Sequence, residues 1–426
     1  MATRRFSDDF PDEPNPFDSE QDAPPVSEPV VPPPPQETRS QRPPSLRRPS
    51  SLRETTSEHR AVETPQHDPP PRRPRGRDSN ASAHLPRTLT QVISDANDKV
   101  VRGDLVDYVP MPTGFDPLDG FIGGGLRKTE LVLLGGAQGI GKTIATLQIA
   151  RNIASRPDQY AFYLSYEHTE THLMHRLLCM ESINPPEVDL SRGLKLRDLY
   201  QIIVAQRAKE FMGRDGGAGS LQAILRDNPK TAPALARMQR YSDRLILLKA
   251  SPAVTNLRSI KELTARLSEA TGGNVTLFID YLQKIAVHPE RPRDENDKVT
   301  IIVEGLKDIG LSLDVPVWAI VAADREGLKS KRIHLFHLRG SSALDYESDI
   351  AIIMNNKYQI MAKDHVAFNP YNAKQYRNWV VWTIEKNRAG RAMQDMEFEI
   401  FGQHFSFNPR GQKVQQQLID DKLIES

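Results

Sequence analysis

At 426 residues the chain is long enough for two or three domains, but a hydrophobic share of 38% is low for a sequence that folds throughout. A single cysteine, Cys179, excludes an intrachain disulfide and a cysteine-rich zinc cluster, and a formal net charge of +1 leaves any hold on nucleic acid or acidic membranes to local clusters. No apolar stretch like that of a signal peptide opens the chain and no run of about 18 apolar residues occurs in it, so the expectation is a cytoplasmic protein without a membrane span.

Of the 33 prolines, 18 lie before residue 86, where aromatic and β-branched residues are scarce. Such a stretch cannot bury enough apolar surface to offset its ordering entropy, so residues 1–85 are expected to be a disordered Pro/Arg-rich tail. Its charge is segregated: Asp8, Asp9, Asp12, Glu13, Asp18, Glu20 and Asp22 come first, then Arg39, Arg42, Arg47, Arg48 and Arg53, then Arg72, Arg73, Arg75 and Arg77. The tail reads as a solvated tether or as a segment that binds a protein partner or DNA through its arginines, with Ser50 and Ser51 beside an arginine pair as candidate phosphorylation sites. From Leu89 the spacing turns helical, with Leu89, Val92, Ile93, Ala96, Val100 and Val101 near one face up to about Gly103. That stripe can fold back on its own domain or dock on a neighbouring subunit, and spacing does not choose.

Glu130–Leu134 is a short apolar run that leads into Gly135–Thr143, after which Ile144, Leu147, Ile149, Ala150 and Ile153 resume a helical period. Strand, glycine-rich loop and helix are the context that a G-x-x-x-x-G-K-[ST] pattern requires, and Gly136, Ala137, Gln138, Gly139, Ile140, Gly141, Lys142 and Thr143 supply it. Glycines let backbone N–H groups turn inward around phosphates, and the helix amino terminus adds favourable partial charge. Lys142 is expected to bridge the β- and γ-phosphates of ATP, and the Thr143 hydroxyl to bind Mg²⁺. A second strand, Val275–Ile279, ends in Asp280, either a turn cap or, beside a phosphate loop, the carboxylate that orients the metal's water shell. Glu167 follows a third strand, Tyr160–Ser165, and could activate an attacking water, a role that position alone leaves open. Further strands at Val315–Val321 and Asp349–Met354, and a hairpin of Trp379–Ile384 with Met396–Ile400, predict an α/β fold with a mostly parallel sheet and helices on both faces.

The order of these motifs resembles the RecA-like ATPase domain of hexameric replicative helicases of the DnaB type, over roughly residues 88–410. Thr113–Asp119 with Gly123–Leu126 is similar to that family's entry segment, and Ser165–Tyr166–Glu167 to its Ser-Leu-Glu, whose glutamate is the catalytic base. Ile279–Gln283 is close to the family's signature, which implies Gln283 as a sensor between nucleotide state and DNA loops. Leu338–Asp349 is similar to its Leu-Arg-Glu-Ser-Gly segment, and Glu385–Arg388 with Gly390 to its Lys-Gln-Arg-Asn-Gly. The resemblance implies that Lys386 and Arg388 reach a neighbour's ATP as arginine-finger cations, that the helix at 89–103 packs on the adjacent protomer, and that the assembly is a ring of about six.

There are departures. The family's Ser-Gln-Leu-Asn-Arg appears here as Val321–Arg325, which keeps only Arg325. Against the resemblance, the tail is expected in place of the family's helical primase-binding domain, and residues 205–245 look longer than the usual connection, with a loop at Gly216–Gly219. The resemblance places the loops facing the ring's channel near 286–299 and 326–338, so DNA contacts are expected from Arg291 and Arg293 in the first and from Lys329, Lys331 and Arg332 in the second. Few aromatics accompany them, so phosphate contact is favoured over base stacking. The expected organisation is a tail at 1–85, a linker helix and entry segment at 86–112, the ATPase domain at 113–412 and a short tail at 413–426. The leading expectation is an ATP-driven DNA helicase or translocase. The rivals are a nucleotide-gated regulatory module and a loader or filament former.

Overall fold

The computed structural model describes residues 86–105, 107–183, 190–212, 219–288, 292–361, 374–415 and 418–419. The proposed tail at 1–85, Arg291 and most of the loop at 216–219 lie outside the described residues.

The elements run α1 (Leu89–Val101), α2 (Leu118–Phe121), β1 (Leu131–Gly136), α3 (Lys142–Ala154), β2 (Tyr160–Ser165), α4 (Glu170–Ser182), α5 (Leu196–Met212), α6 (Leu221–Asp227) and α7 (Ala232–Gln239). They continue as β3 (Leu245–Lys249), α8 (Leu257–Ala270), β4 (Val275–Asp280), α9 (Glu295–Leu313), β5 (Val317–Ile320), α10 (Ser341–Glu347), β6 (Ile350–Asn356), α11 (Lys357–Ile360), β7 (Trp379–Asn387), β8 (Gln394–Phe401), β9 (Ser406–Phe407) and β10 (Gln412–Lys413). The sheet order is β10-β8-β7-β6-β1-β5-β4-β2-β3, with β9 paired to β8. Strands from β6 to β3 in that order pair in parallel, whereas β7 to β10 add an antiparallel flank that begins with the expected hairpin. β3 was not among the expected strands, although Leu245–Leu248 is an apolar run between Ser242–Asp243 and Ser251–Pro252.

The central parallel strands are apolar almost without interruption because both sheet faces are covered. One face packs α3 and the carboxy-terminal strands around Leu147, Trp318, Trp382 and Phe398; the other packs α8 and α9 around Leu133, Ile279, Ile302 and Leu306. Trp318 reaches across to α3, where its indole N–H donates to the Thr146 hydroxyl at 3.1 Å. The entry segment is built around Asp119, whose carboxylate accepts from the Thr113 amide (2.8 Å), the Thr113 hydroxyl (2.7 Å) and the Gly114 amide (2.9 Å). That cap delivers Phe115 onto Trp382, with ring centroids 5.1 Å apart.

α1 opens on a capping box between Thr88 and Gln91, and none of its residues is buried. Leu89 and Val101 are 74% and 77% exposed, so in the single chain the apolar stripe faces solvent. At the other end, part of the expected tail returns to the domain: Leu418 bridges Met361, and the Ile419 amide donates to the Ile360 carbonyl at 2.8 Å. Among the described residues no helix is long and apolar enough to cross a membrane.

A fully buried ion pair ties α11 to β8. The Lys357 ammonium lies 2.6 Å from the Glu397 carboxylate, and Gln412 donates to the other carboxylate oxygen at 2.7 Å. Removing one partner strands a charge in the interior, so Lys357→Ala is expected to lower unfolding free energy by about 3–5 kcal/mol, read by urea denaturation. Lys357→Met combined with Glu397→Leu is expected to recover most of that loss.

Candidate nucleotide site

The carboxyl ends of β1, β2, β4 and β5 lie along one edge of the sheet, the edge where parallel α/β sheets form their ligand crevice. β1 delivers the phosphate loop there. The loop follows its tight path only because Gly136 (φ 144°) and Gly141 (φ 104°) take backbone angles that other residues rarely adopt; a Cβ on Gly141 would lie 2.8 Å from Ile400 and 2.9 Å from Phe407. Lys142 opens α3, and its ammonium donates to the Gly136 and Ala137 carbonyls at 2.7 and 2.8 Å. Burial pulls that ammonium down to about 8, while Asp280 and Glu167 favour its charged form.

Asp280 ends β4 almost fully buried and accepts from the Tyr163 hydroxyl at 3.0 Å. Burial pushes its carboxyl up to about 6; the Thr143 hydroxyl bonds to it and opposes the rise, whereas the Glu167 charge adds to it. Ser165 gives the Ser-Tyr-Glu segment a physical reason. Its buried hydroxyl accepts the Glu167 amide (3.3 Å) and the His168 amide (3.0 Å), which sets the turn that carries Glu167.

These groups meet in one cavity of about 430 Å³, lined by Gly136, Gln138, Gly139, Gly141, Lys142 and Thr143 from the loop, with Glu167 and Asp280. Ile140 packs against the core instead. The cavity also holds His168, Arg176 and Phe405, which no motif marked, and Ala322 and Arg339, which fall in Val321–Arg325 and Leu338–Asp349 without a role of their own. Arg176 carried a weak signal: it falls two turns into the helix that follows Glu167.

A hydroxyl and a single buried carboxylate side by side suit a hard cation that takes its remaining ligands from phosphate oxygens and water, so Thr143 and Asp280 fit Mg²⁺. Among the described residues no group of three His, Cys, Asp or Glu side chains could hold a metal by itself.

Gln283 stands just outside the cavity. Its buried amide accepts the Ala322 N–H at 3.2 Å and faces the Ala322 carbonyl at 3.4 Å, which ties the end of β4 to the end of β5. Lys386 and Arg388, at the end of β7, do not line the cavity of their own chain. Lys386 is bound to the Asp345 carbonyl; Arg388 is bound to the Tyr346 carbonyl and lies 3.3 Å from the Asp349 carboxylate.

Of the expected DNA-contacting cations, Lys329 and Lys331 are exposed, and Arg293 is exposed with Asp297 at 3.4 Å. Arg332 corrects the expectation. It is 5% exposed, with Asp395 at 2.8 Å and the Thr383 hydroxyl at 3.1 Å, so its charge is committed to the hairpin rather than offered to a phosphate. Arg332→Ala is therefore expected to lower the melting temperature.

A family model for the DnaB-like helicase C terminal domain matches residues 110–212 and 219–408. The chain belongs to the DnaB-like helicase C-terminal domain family. It is 26% identical over 251 residues to the replicative DNA helicase DnaC of Bacillus subtilis, covering 58% of this chain and 47% of that protein. It is 26% identical over 280 residues to the replicative DNA helicase DnaB of Geobacillus stearothermophilus, covering 65% and 54%. The chain thus spans about half the length of these relatives. Among solved structures, an isolated ATPase domain superposes with a TM-score of 0.56 at 19% identity, covering 76% of this chain and 99% of that one. A DnaB-like replicative helicase, solved in a study of its interactions with primase, superposes with a TM-score of 0.53, also at 19% identity, covering 76% and 67%. Both likenesses show the RecA-like fold.

Proposed function

We propose that the chain is an ATP-driven DNA helicase or translocase that hydrolyses Mg-ATP between the subunits of a ring. One observation carries this: the phosphate loop, Asp280 and Glu167 converge in a single cavity at the carboxyl edge of the sheet. In this reading the loop amides and Lys142 bind the β- and γ-phosphates, and the lysine exchanges its two carbonyl partners for phosphate oxygens. Thr143 and Asp280 would hold Mg²⁺, which when bound would neutralise charge on the phosphates. Glu167 accepts the proton of the attacking water. Gln283 reports nucleotide state to the channel loops through Ala322 and the end of β5. Lys386 and Arg388 serve the neighbour's site, since they lie outside their own cavity, and α1 lays its uncovered stripe on an adjacent protomer. A ring of about six follows from family analogy, with single-stranded DNA in its channel, a protein partner for the tail, and a cytoplasmic setting.

A second reading, a nucleotide-gated module that moves no DNA, draws on one specific feature: the Gln283 amide is bonded to the Ala322 backbone, where the family's polar pair is missing. ATP turnover with and without single-stranded DNA separates the two. Strong stimulation that Lys142→Ala abolishes supports the translocase; turnover indifferent to DNA supports the module, and absence of turnover overturns the catalytic assignment.

Lys142 gives a further expected result. With its ammonium depressed to about 8, the free protein near pH 8.5 holds this side chain mostly neutral, and bound phosphates favour the charged form. Nucleotide binding at that pH should take up about three quarters of a proton, and at pH 7 about a tenth. Calorimetry in buffers of different ionisation enthalpy measures the difference.

A further inference from the structure

Arg176 enters the nucleotide cavity from α4, and its guanidinium is held on two sides. Its plane lies over the Phe405 ring, 4.9 Å from the centroid, and its Nε–H donates to His172 Nε2 at 3.1 Å. Four residues apart, the two side chains share one helix face. An arginine Nε always carries its hydrogen, so His172 Nε2 must be bare and the ring neutral, with its proton on Nδ1. A protonated ring is a second donor and a second cation, and it would face the guanidinium with repulsion in place of a hydrogen bond.

The surroundings keep the ring neutral at ordinary pH. Burial lowers its affinity for a proton, and the charges of Arg176 and His175 lower it further. The His168 ring stands 5.0 Å away, centroid to centroid, and His175 turns to Tyr200 of α5. Burial lowers the hold of the Arg176 guanidinium on its proton, and Tyr163, Asp280 and Glu167 nearby oppose that. Glu170, at the start of α4, is turned to the Lys249 amide of β3.

We propose that His172 is a positioning residue for the nucleotide site: its neutral Nε2 holds the Arg176 guanidinium in the cavity, and capture of a proton by that ring releases the arginine and weakens nucleotide binding in acid. This rests on the cavity binding Mg-ATP. Only a proton moves, from solvent to His172 Nε2, and no covalent bond is made or broken. The sign is fixed by the acceptor role: the hydrogen bond is complete above the ordinary histidine range and is lost as pH falls through and below it.

The test is titration of the full chain with a fluorescent ATP analogue and Mg²⁺ across about pH 5 to 8, with circular dichroism at each pH. Four proteins are compared: wild type, His172→Gln, His172→Leu and Lys142→Ala. His172→Leu removes the acceptor and is expected to weaken binding about tenfold at pH 7.5, the scale of one hydrogen bond to a charged group. His172→Gln keeps a neutral acceptor that cannot be protonated, so it should restore that affinity and weaken less in acid than wild type. The nucleotide's own protonation is common to both proteins and cancels in the comparison. Equal acid weakening in wild type and His172→Gln, or undiminished affinity in His172→Leu, overturns the proposal. Wild-type binding no better than Lys142→Ala instead overturns the nucleotide-site reading on which it rests.

Discussion

Glu167→Gln is expected to lower ATP turnover by about 10² to 10⁴, the contribution of a positioned general base, while nucleotide affinity is kept. The amide has the carboxylate's shape but cannot take the water's proton, so loss of rate without loss of binding is the signature of a base. The electrostatics of the cavity sharpen this. Glu167 favours the charged form of Lys142 and pushes Asp280 towards its neutral form, so its neutralisation has opposite effects on the two phosphate-side groups. The net change in affinity should therefore be small. Single-turnover kinetics beside equilibrium nucleotide binding make the measurement. A parallel loss of binding and rate would mean that Glu167 organises the site instead, and turnover near the wild-type rate would remove it from the chemistry.

The phosphate loop could be read before the fold because local chemistry dictates it: glycines at strained angles, then a lysine and a threonine at a helix start. Asp280 was equally legible, since a carboxylate at the end of an apolar strand has few other uses beside such a loop. Arg176, His168 and Phe405 were not. They come from α4, from the turn before it and from the turn between β8 and β9, and only tertiary packing brings them to the cavity. Arg332 failed for the opposite reason. A cation in a stretch of loop residues looks solvent-bound in sequence, yet Asp395 lies 63 positions away in the chain and reaches it only through the antiparallel flank. The mostly parallel sheet was legible from its uninterrupted apolar strands; β3, at the end of the sheet, is an apolar run too, and nothing in its composition hides it.

Arg388→Ala is expected to reduce turnover by about 10³ to 10⁵ if the guanidinium completes a neighbour's site, as arginine fingers do. The single chain already limits the alternative. Arg388 is half exposed and lies 3.3 Å from Asp349, but that carboxylate also accepts from Lys307 at 2.6 Å and from the Leu131 amide at 2.7 Å. It keeps two partners without the arginine, so an exposed contact of this kind stabilises the fold by no more than about 1 kcal/mol. A fall of several orders of magnitude then cannot be a folding defect, and an unchanged melting temperature checks the point. Mixing decides between action on the own site and action on a neighbour. Arg388→Ala subunits retain Glu167, and Glu167→Gln subunits retain Arg388, so each is inactive alone but one of the two possible mixed interfaces is complete. Recovery of turnover on mixing requires the finger to work across subunits. Its absence, with mixed assemblies verified by light scattering or native mass spectrometry, places Arg388 in the chemistry of its own chain, which the separation of Arg388 from its own cavity argues against. Lys386→Ala should behave in the same way with a smaller loss, because an ammonium is a point charge and cannot grip a phosphate in the bidentate manner of a guanidinium.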